Sequence, residues 1–162
     1  MNPTYLVCEK CLKTNRIPTA GPAHPAGSPA APESRVPVCG NCKAEFSNWH
    51  SGVSEVSAAA LAKLIQASPI PVVADFWAPW CGPCRAFAPT FQQAATQCLG
   101  RAVLVKVNTE AQPAAGQSYG IRGIPTLVIF KGGVESDRQS GAMPLPTFLS
   151  WLNPWLSAPR AA

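Results

Sequence analysis

The stretch Phe76–Pro89, FWAPWCGPCRAFAP, sets Cys81 and Cys84 on either side of a Gly-Pro pair. The residues leading into it, PVVADFW at 71–77, are β-branched and aromatic and read as a buried strand. Those that follow, through about Leu99, read as a helix interrupted at Pro89, where a kink is expected. Cys81 therefore falls where a strand gives way to a helix. Helix N-termini present free N–H groups and partial positive charge, which stabilise a thiolate. Cys84, one turn on, shares its face and is expected to be the more buried of the two. The first thiol can attack and the second can resolve. Asp75 stands among Val72, Val73, Ala74 and Phe76. Burial there raises a carboxyl pKa and makes a competent base near neutrality; the plain alternative is a hydrogen-bonded structural Asp.

Outward from this stretch the pattern is α/β. AVLVKVN at 102–108 is a second buried strand, followed by a short helix near 112–119. TLVIFKGGVESDRQSG at 126–141 reads as a hairpin turning at Lys131-Gly132-Gly133. LPTFLSWLNPWL at 145–156 is an apolar-faced helix whose end Pro154 weakens. Before the first strand, residues 51–69 read as a link into a helix: Ser57 can cap AAALAKLIQA, which stops ahead of Pro69.

Two further C-x-x-C pairs, Cys8/Cys11 and Cys39/Cys42, lie in residues 1–50. Together they supply four thiolates, which satisfy tetrahedral zinc as a small ribbon-like module. The 27 residues between the knuckles hold six of the 18 prolines and read as a mobile, extended loop. Lengthening such a loop from about 16 residues to 27 adds roughly 0.5 kcal/mol of closure entropy. Structural zinc supplies about 10 kcal/mol or more, so the loop does not endanger the site. Redox-active or disulfide-linked pairs, and iron in place of zinc, are the alternatives these residues leave open. His24 and His50 read as surface residues, and Cys98 as a small buried hydrophobe. The expected division is a module at 1–50 and an α/β domain at 51–162.

Composition narrows the class. The net charge of +5 is dispersed, with no two adjacent Lys or Arg, so no nucleic-acid footprint is expected. No apolar run reaches 18 residues, so no membrane partner is expected. The N-terminus lacks the pattern of a secretory signal, which points to a reducing cytoplasm, where structural disulfides are rare.

The segment WCGPC resembles the active-site signature of the thioredoxin family. DFWAPWCGPCRAFAP, KVNTEA, YGIRGIPT, FKGG and SGA follow one another in family order and spacing over residues 70–157. With its two N-terminal knuckles the chain further resembles the zinc-bearing branch called thioredoxin 2, although its inter-knuckle loop is longer than usual there. The resemblance implies a mixed five-stranded sheet flanked by four helices, behind a four-cysteine zinc-ribbon-like module. It implies Cys81 as nucleophile, Cys84 as resolving thiol, Asp75 as the buried carboxylate serving Cys84, and Lys106 as its charged neighbour. Pro125 matches the cis-proline facing the disulfide, and Ile124 offers backbone to an extended client. Trp80, Gly82, Pro83, Gly123, Gly141 and Ala142 complete a flat docking surface.

The implied activity is protein-disulfide reduction in electron transport and in defence against oxidative stress. A thioredoxin reductase would recharge a monomer whose clients are disulfide-containing proteins, with one structural zinc and no organic cofactor. A zinc-switched redox-sensing holdase or binding protein is the alternative.

Overall fold

The computed structural model describes residues 4–17, 36–46 and 52–157. Its central element is β4, Val72–Trp77, whose residues are almost all buried because the strand is paired on both sides. Strand β5 (Val103–Asn108) runs parallel to it on one side, and β6 (Thr126–Lys131) runs antiparallel on the other. The five-stranded mixed sheet is completed by β3 (Val53–Glu55) outside β5 and β7 (Val134–Ser140) outside β6, giving the order β3-β5-β4-β6-β7.

Alternation along β4 divides the core. Val72, Ala74 and Phe76 point to the face covered by α1 (Ala58–Ala67) and α3 (Pro113–Ser118). Val73 points to the other face, covered by α2 (Gly82–Gln97) and α4 (Leu145–Leu152). There Phe87, Phe91, Phe148 and Trp151 pack with successive ring centroids 5.3–6.0 Å apart, within the range of favourable aromatic pairs. By the same alternation Asp75 and Trp77 belong to the α2/α4 face.

The expected elements are present, with instructive differences. Ser57 caps α1, its side chain accepting from the Ala60 N–H at 3.1 Å. The hairpin turns at Gly132 and Gly133, both at positive φ (62° and 85°), as a two-residue turn matched to strand twist requires. Helix α4 ends at Leu152 and tightens into a 3-10 turn over Asn153–Trp155, where Pro154 can no longer donate. Helix α2, in contrast, is not interrupted at Pro89: it runs unbroken through it. Pro89 lies on the exposed side, so the backbone acceptor it leaves without a helical partner can turn to water.

Ahead of its helix, the link read over 51–69 contains β3, whose three residues are too few for a periodic signal. The segment after Cys11 is not wholly a loop either. Thr14–Ile17 forms β2, antiparallel to β1 (Thr4–Val7), in the register Tyr5↔Arg16 and Leu6↔Asn15. Residues 18–35 of the Pro-rich stretch, His24, His50 and the expected 50/51 boundary lie outside the described residues, while Val38 at the end of the stretch bridges Glu45 in antiparallel fashion.

This small hairpin is not detached. Val7 is buried in the core of the α1/α3 face, and Tyr5 and Leu12 pack against it. Glu9 accepts the Ser57 N–H with both carboxylate oxygens, at 3.2 and 3.3 Å, placing a negative charge at the N-terminus of α1. Val7→Ala removes two buried methyl groups, a loss of about 1.5 kcal/mol. For a chain of this size that lowers the melting midpoint by roughly 3–6 °C. The shift is expected in near-UV circular dichroism of the α/β core itself; an unmoved core transition would show that the hairpin merely rests on it.

Candidate active site and candidate metal centre

Strand β4 is held from both sides, so the turn that follows it is fixed in space, and α2 starts from that turn. Cys81 is the N-cap of α2 in extended backbone, and its Sγ accepts the Cys84 N–H at 3.2 Å. The two cysteines form a disulfide, with Cα atoms 5.2 Å apart. In this state Cys81 is only 4% exposed, while Cys84 is fully buried. What is open is the neighbourhood: Trp80 is 69% exposed, and Gly82 and Pro83 are exposed beside it.

The loop before β6 closes over this turn. The Ile124–Pro125 peptide is cis. The Ile124 carbonyl oxygen lies 3.8 Å from Cys81 Sγ. Gly141 donates its N–H to the Pro125 carbonyl at 2.8 Å, which ties the start of the β7–α4 link to the same loop. A Cβ built on Gly82, Gly123 or Gly141 would meet nothing within 4 Å, so all three face open space, and Gly141 additionally has φ +93°. Ala142 beside it is exposed. Trp80, Gly82, Pro83, Gly123, Ile124, Pro125, Gly141 and Ala142 thus come from three separate segments.

On β4, in the strand that leads into the cysteine turn, Asp75 is fully buried, and neither carboxylate oxygen has a hydrogen-bond partner among the described residues. Burial pushes its pKa up to about 7, opposed by the charge of Lys106, its register partner on β5. Lys106 does not pair with it: its Nζ stands 4.0 Å from the centroid of the Trp77 ring. Sequence alone does not single out Trp77. Its signal, two positions along the strand from Asp75, becomes visible only once the register with β5 is known.

The four outer cysteines converge although 27 residues separate the knuckles. Their sulfurs all lie within 4.8 Å of one another. Cys8 and Cys42 are 3.5 Å apart, and Cys11 and Cys39 are 3.6 Å apart. Tetrahedral zinc with bonds of about 2.3 Å spaces its sulfurs about 3.8 Å apart, so the cluster fits such an ion. The knuckles share one design. Cys8 accepts the Leu12 N–H and donates to the Lys13 carbonyl; Cys39 accepts the Lys43 N–H and donates to the Ala44 carbonyl. Leu12 and Lys43 occupy equivalent positive-φ positions, 58° and 64°. Asn15, also unforeseen, donates to Cys39 Sγ at 3.5 Å and accepts the Gly40 N–H at 2.9 Å, bridging the knuckles. The backbone N–H of Cys42 is the main cause that holds the Cys39 thiol down to about 6. Cys42 moves the other way: the Ala44 backbone N–H is outweighed by burial and by the neighbouring Cys8, Cys11 and Cys39 sulfurs, which push it up to about 11, so a metal bound by all four sulfurs would displace the protons still held. Cys98 is buried in the α2/α4 core, away from both groups, and its thiol pKa is raised by that burial.

A family model described as Thioredoxin matches residues 52–154. A thioredoxin of Synechocystis sp. is 45% identical over 106 residues, covering 65% of this chain and 99% of that protein. Thioredoxin 1 of Nostoc sp. is 46% identical over 97 residues, covering 60% of this chain and 91% of its own. The chloroplastic M-type thioredoxin of Zea mays is 34% identical over 147 residues, covering 91% of this chain and 77% of its own. These likenesses support thiol–disulfide exchange and do not favour the holdase alternative. No helix among the described residues is long and apolar enough to cross a membrane.

Two outcomes are expected. Burial holds the folded carboxyl of Asp75 well above its unfolded value, so folding takes up a proton between about pH 4 and 7. Stability then falls as pH rises through that window. Asp75→Asn should remove the fall and stabilise the protein at pH 8 by a few kcal/mol, since a tenfold change in proton affinity is worth about 1.4 kcal/mol. The gain should shrink toward pH 4, as denaturant titrations at the two pH values would show. Asn15→Ala should weaken metal binding about 10–100-fold in competition with a chromophoric chelator; unchanged affinity would remove Asn15 from the site.

Proposed function

The chain belongs to the thioredoxin family of thiol–disulfide oxidoreductases, and on that premise we propose that Cys81 and Cys84 form the dithiol that reduces client disulfides. The observation that carries this is the seat of the pair: two cysteines bridged at the first turn of α2, with the Ile124 carbonyl oxygen that precedes cis-Pro125 lying 3.8 Å from the Cys81 sulfur. In the reduced protein, the Cys81 thiolate attacks a client disulfide. An S–S bond forms between Cys81 and the client, and the other client sulfur leaves as a thiolate. Cys84 then gives its proton to Asp75, through water, and its sulfur attacks Cys81. The Cys81–Cys84 disulfide forms, the second client thiolate is released, and the client has gained two electrons.

Lys106 supplies the opposing charge beside Asp75, and Pro125 keeps the facing loop without an N–H that would compete for the sulfur. The Ile124 backbone pairs with an extended client segment, while Trp80, Gly82, Pro83, Gly123, Gly141 and Ala142 form the apolar surface on which it lies. Docking and the intramolecular second attack supply most of the rate. A thioredoxin reductase returns the dithiol to its reduced state. The protein acts as a monomer in the cytoplasm; the chloroplastic naming of some relatives belongs to those proteins.

We assign the chain to the zinc-bearing thioredoxin 2 type, with a metal module at 1–50 and the catalytic domain at 51–162. The observation behind the assignment is the four-sulfur cluster. Cys8, Cys11, Cys39 and Cys42 would hold one zinc ion, which supplies cross-linking of the two knuckles rather than chemistry at Cys81. Asn15 orients the Cys39 sulfur toward that site.

Insulin reduction coupled to a thioredoxin reductase tests the assignment of the dithiol. Cys81→Ser should abolish turnover, because the attacking sulfur is gone. Cys84→Ser should accumulate a mixed disulfide through Cys81, visible by mass spectrometry. Trapping of clients by Cys81→Ser instead would reverse the two roles.

A further inference from the structure

Asp75, Trp77 and Lys106 lie on one face of the sheet, at the end nearest the disulfide. Asp75 and Trp77 alternate along β4, and Lys106 faces Asp75 across the β4/β5 ladder. Neighbouring strands are about 4.8 Å apart, so the four-carbon stem of Lys106 is long enough to bring its ammonium to the carboxyl. It goes to Trp77 instead, 4.0 Å from the ring centroid, while both Asp75 oxygens are left without a hydrogen-bond partner among the described residues. Attraction of an ammonium to an indole face amounts to about 0.5–2 kcal/mol, and indole is the strongest of the aromatic faces in this respect. The half-buried ring also lets the ammonium keep water that a fully buried ion pair would strip away.

A second observation concerns the indole itself. Its Nε1 is buried with no hydrogen-bond partner among the described residues. An unmet buried donor costs about 1–3 kcal/mol, a cost that Phe or Leu at this position would avoid. Among the described residues the ring thus interacts with its polar surroundings through its face rather than through its N–H. We propose that Trp77 is a positioning residue: its indole face holds the Lys106 ammonium out of contact with the Asp75 carboxyl, which keeps that carboxyl free to exchange a proton with Cys84. The inference rests on the reading of Asp75 as the base of the resolving step.

The charged and titratable surroundings of Asp75 are few. On β5 the facing group is Lys106, and beyond it on β3 stands the exposed Glu55, the partner of Lys106 on its other side. Strand β6 sets Leu127 opposite Asp75; of the helices that cover this face of the sheet, α2 carries Cys84, held in the disulfide, and the buried residues of α4 are the apolar Phe148 and Leu152. Movement of one ammonium is thus the main change available to the local field. A direct contact between Lys106 and Asp75 would lower the carboxyl pKa by about 1–3 units, and would pull the working range of the base away from neutrality.

The test is a 13C-detected titration of the Asp75 carboxyl in the full-length disulfide form. Trp77→Leu should lower the midpoint by about one pH unit or more, as Lys106 turns to the carboxyl. Trp77→Phe, a milder change that keeps an aromatic core, should lower it in the same direction by less. Lys106→Met should raise it, and in that background neither Trp77 variant should lower it further. Trp77→Phe with and without Lys106→Met decides the matter if Trp77→Leu does not fold. A midpoint unmoved by the Trp77 substitutions, or a fall that persists without Lys106, overturns the proposal. The pH profile of insulin reduction separates this from the underlying reading: a profile unchanged in Asp75→Asn would remove Asp75 as the base, whatever the titration shows for Trp77.

Discussion

Asp75 occupies the middle of a strand hydrogen-bonded on both sides, and its carboxyl meets no donor among the described residues. Such a group opposes folding whenever it is charged, so the packing around it must be otherwise favourable. It is: β4 carries Val72, Val73, Ala74 and Phe76 into two separate hydrophobic clusters. The aromatic stack of α2 on α4 holds the helix above, so that Cys84 is fully buried and Cys81 caps the first turn. The rigidity that makes an unpaired carboxyl tolerable is the same rigidity that fixes the cysteine turn against Ile124 and Pro125. On the role proposed for Asp75, stability and reactivity are set by one arrangement, and each works against the other near neutral pH.

The four outer cysteines obey a different logic. Their backbone surroundings are two copies of one tight turn, joined by Asn15, and their sulfurs converge on one another. Yet the hairpin that carries the first knuckle is attached to the α/β core on both sides of Cys8: Val7 is buried in it, and Glu9 meets the N-terminus of α1. A shift of the first knuckle would disturb a helix cap and a core contact. The second knuckle is tied to the first through Asn15 and through the sulfurs. Sequence segregation of the two cysteine groups therefore coexists with mechanical continuity between them.

How much could be read without coordinates follows from the range of each interaction. The cysteine turn, the buried Asp75, the Ser57 cap and the Gly132-Gly133 hairpin are local signals, contained in a few consecutive residues. The knuckles were legible because C-x-x-C spacing is itself a ligand geometry. By contrast, β3 is three residues long, and TNRI of β2 is polar and runs into Pro-rich sequence, so neither announces a strand. Glu9 and Ser57 are 48 residues apart. The Trp77–Lys106 contact depends on strand register, which no single stretch encodes. Pro89 misled for the opposite reason: a local rule for ending helices gave way to a position on the solvent side.

Seven cysteines in three environments imply three reactivities, and one experiment reads them together. The reduced, metal-loaded protein is treated near pH 7 with limiting iodoacetamide, and the labelled peptides are mapped over time. Cys81 should label first, because its sulfur lies at a helix N-terminus beside an open surface. Cys84 and Cys98 should follow slowly, being buried, and Cys8, Cys11, Cys39 and Cys42 should stay protected until a chelator is added. Labelling of the knuckle cysteines ahead of Cys81 in the metal-loaded protein would contradict the account.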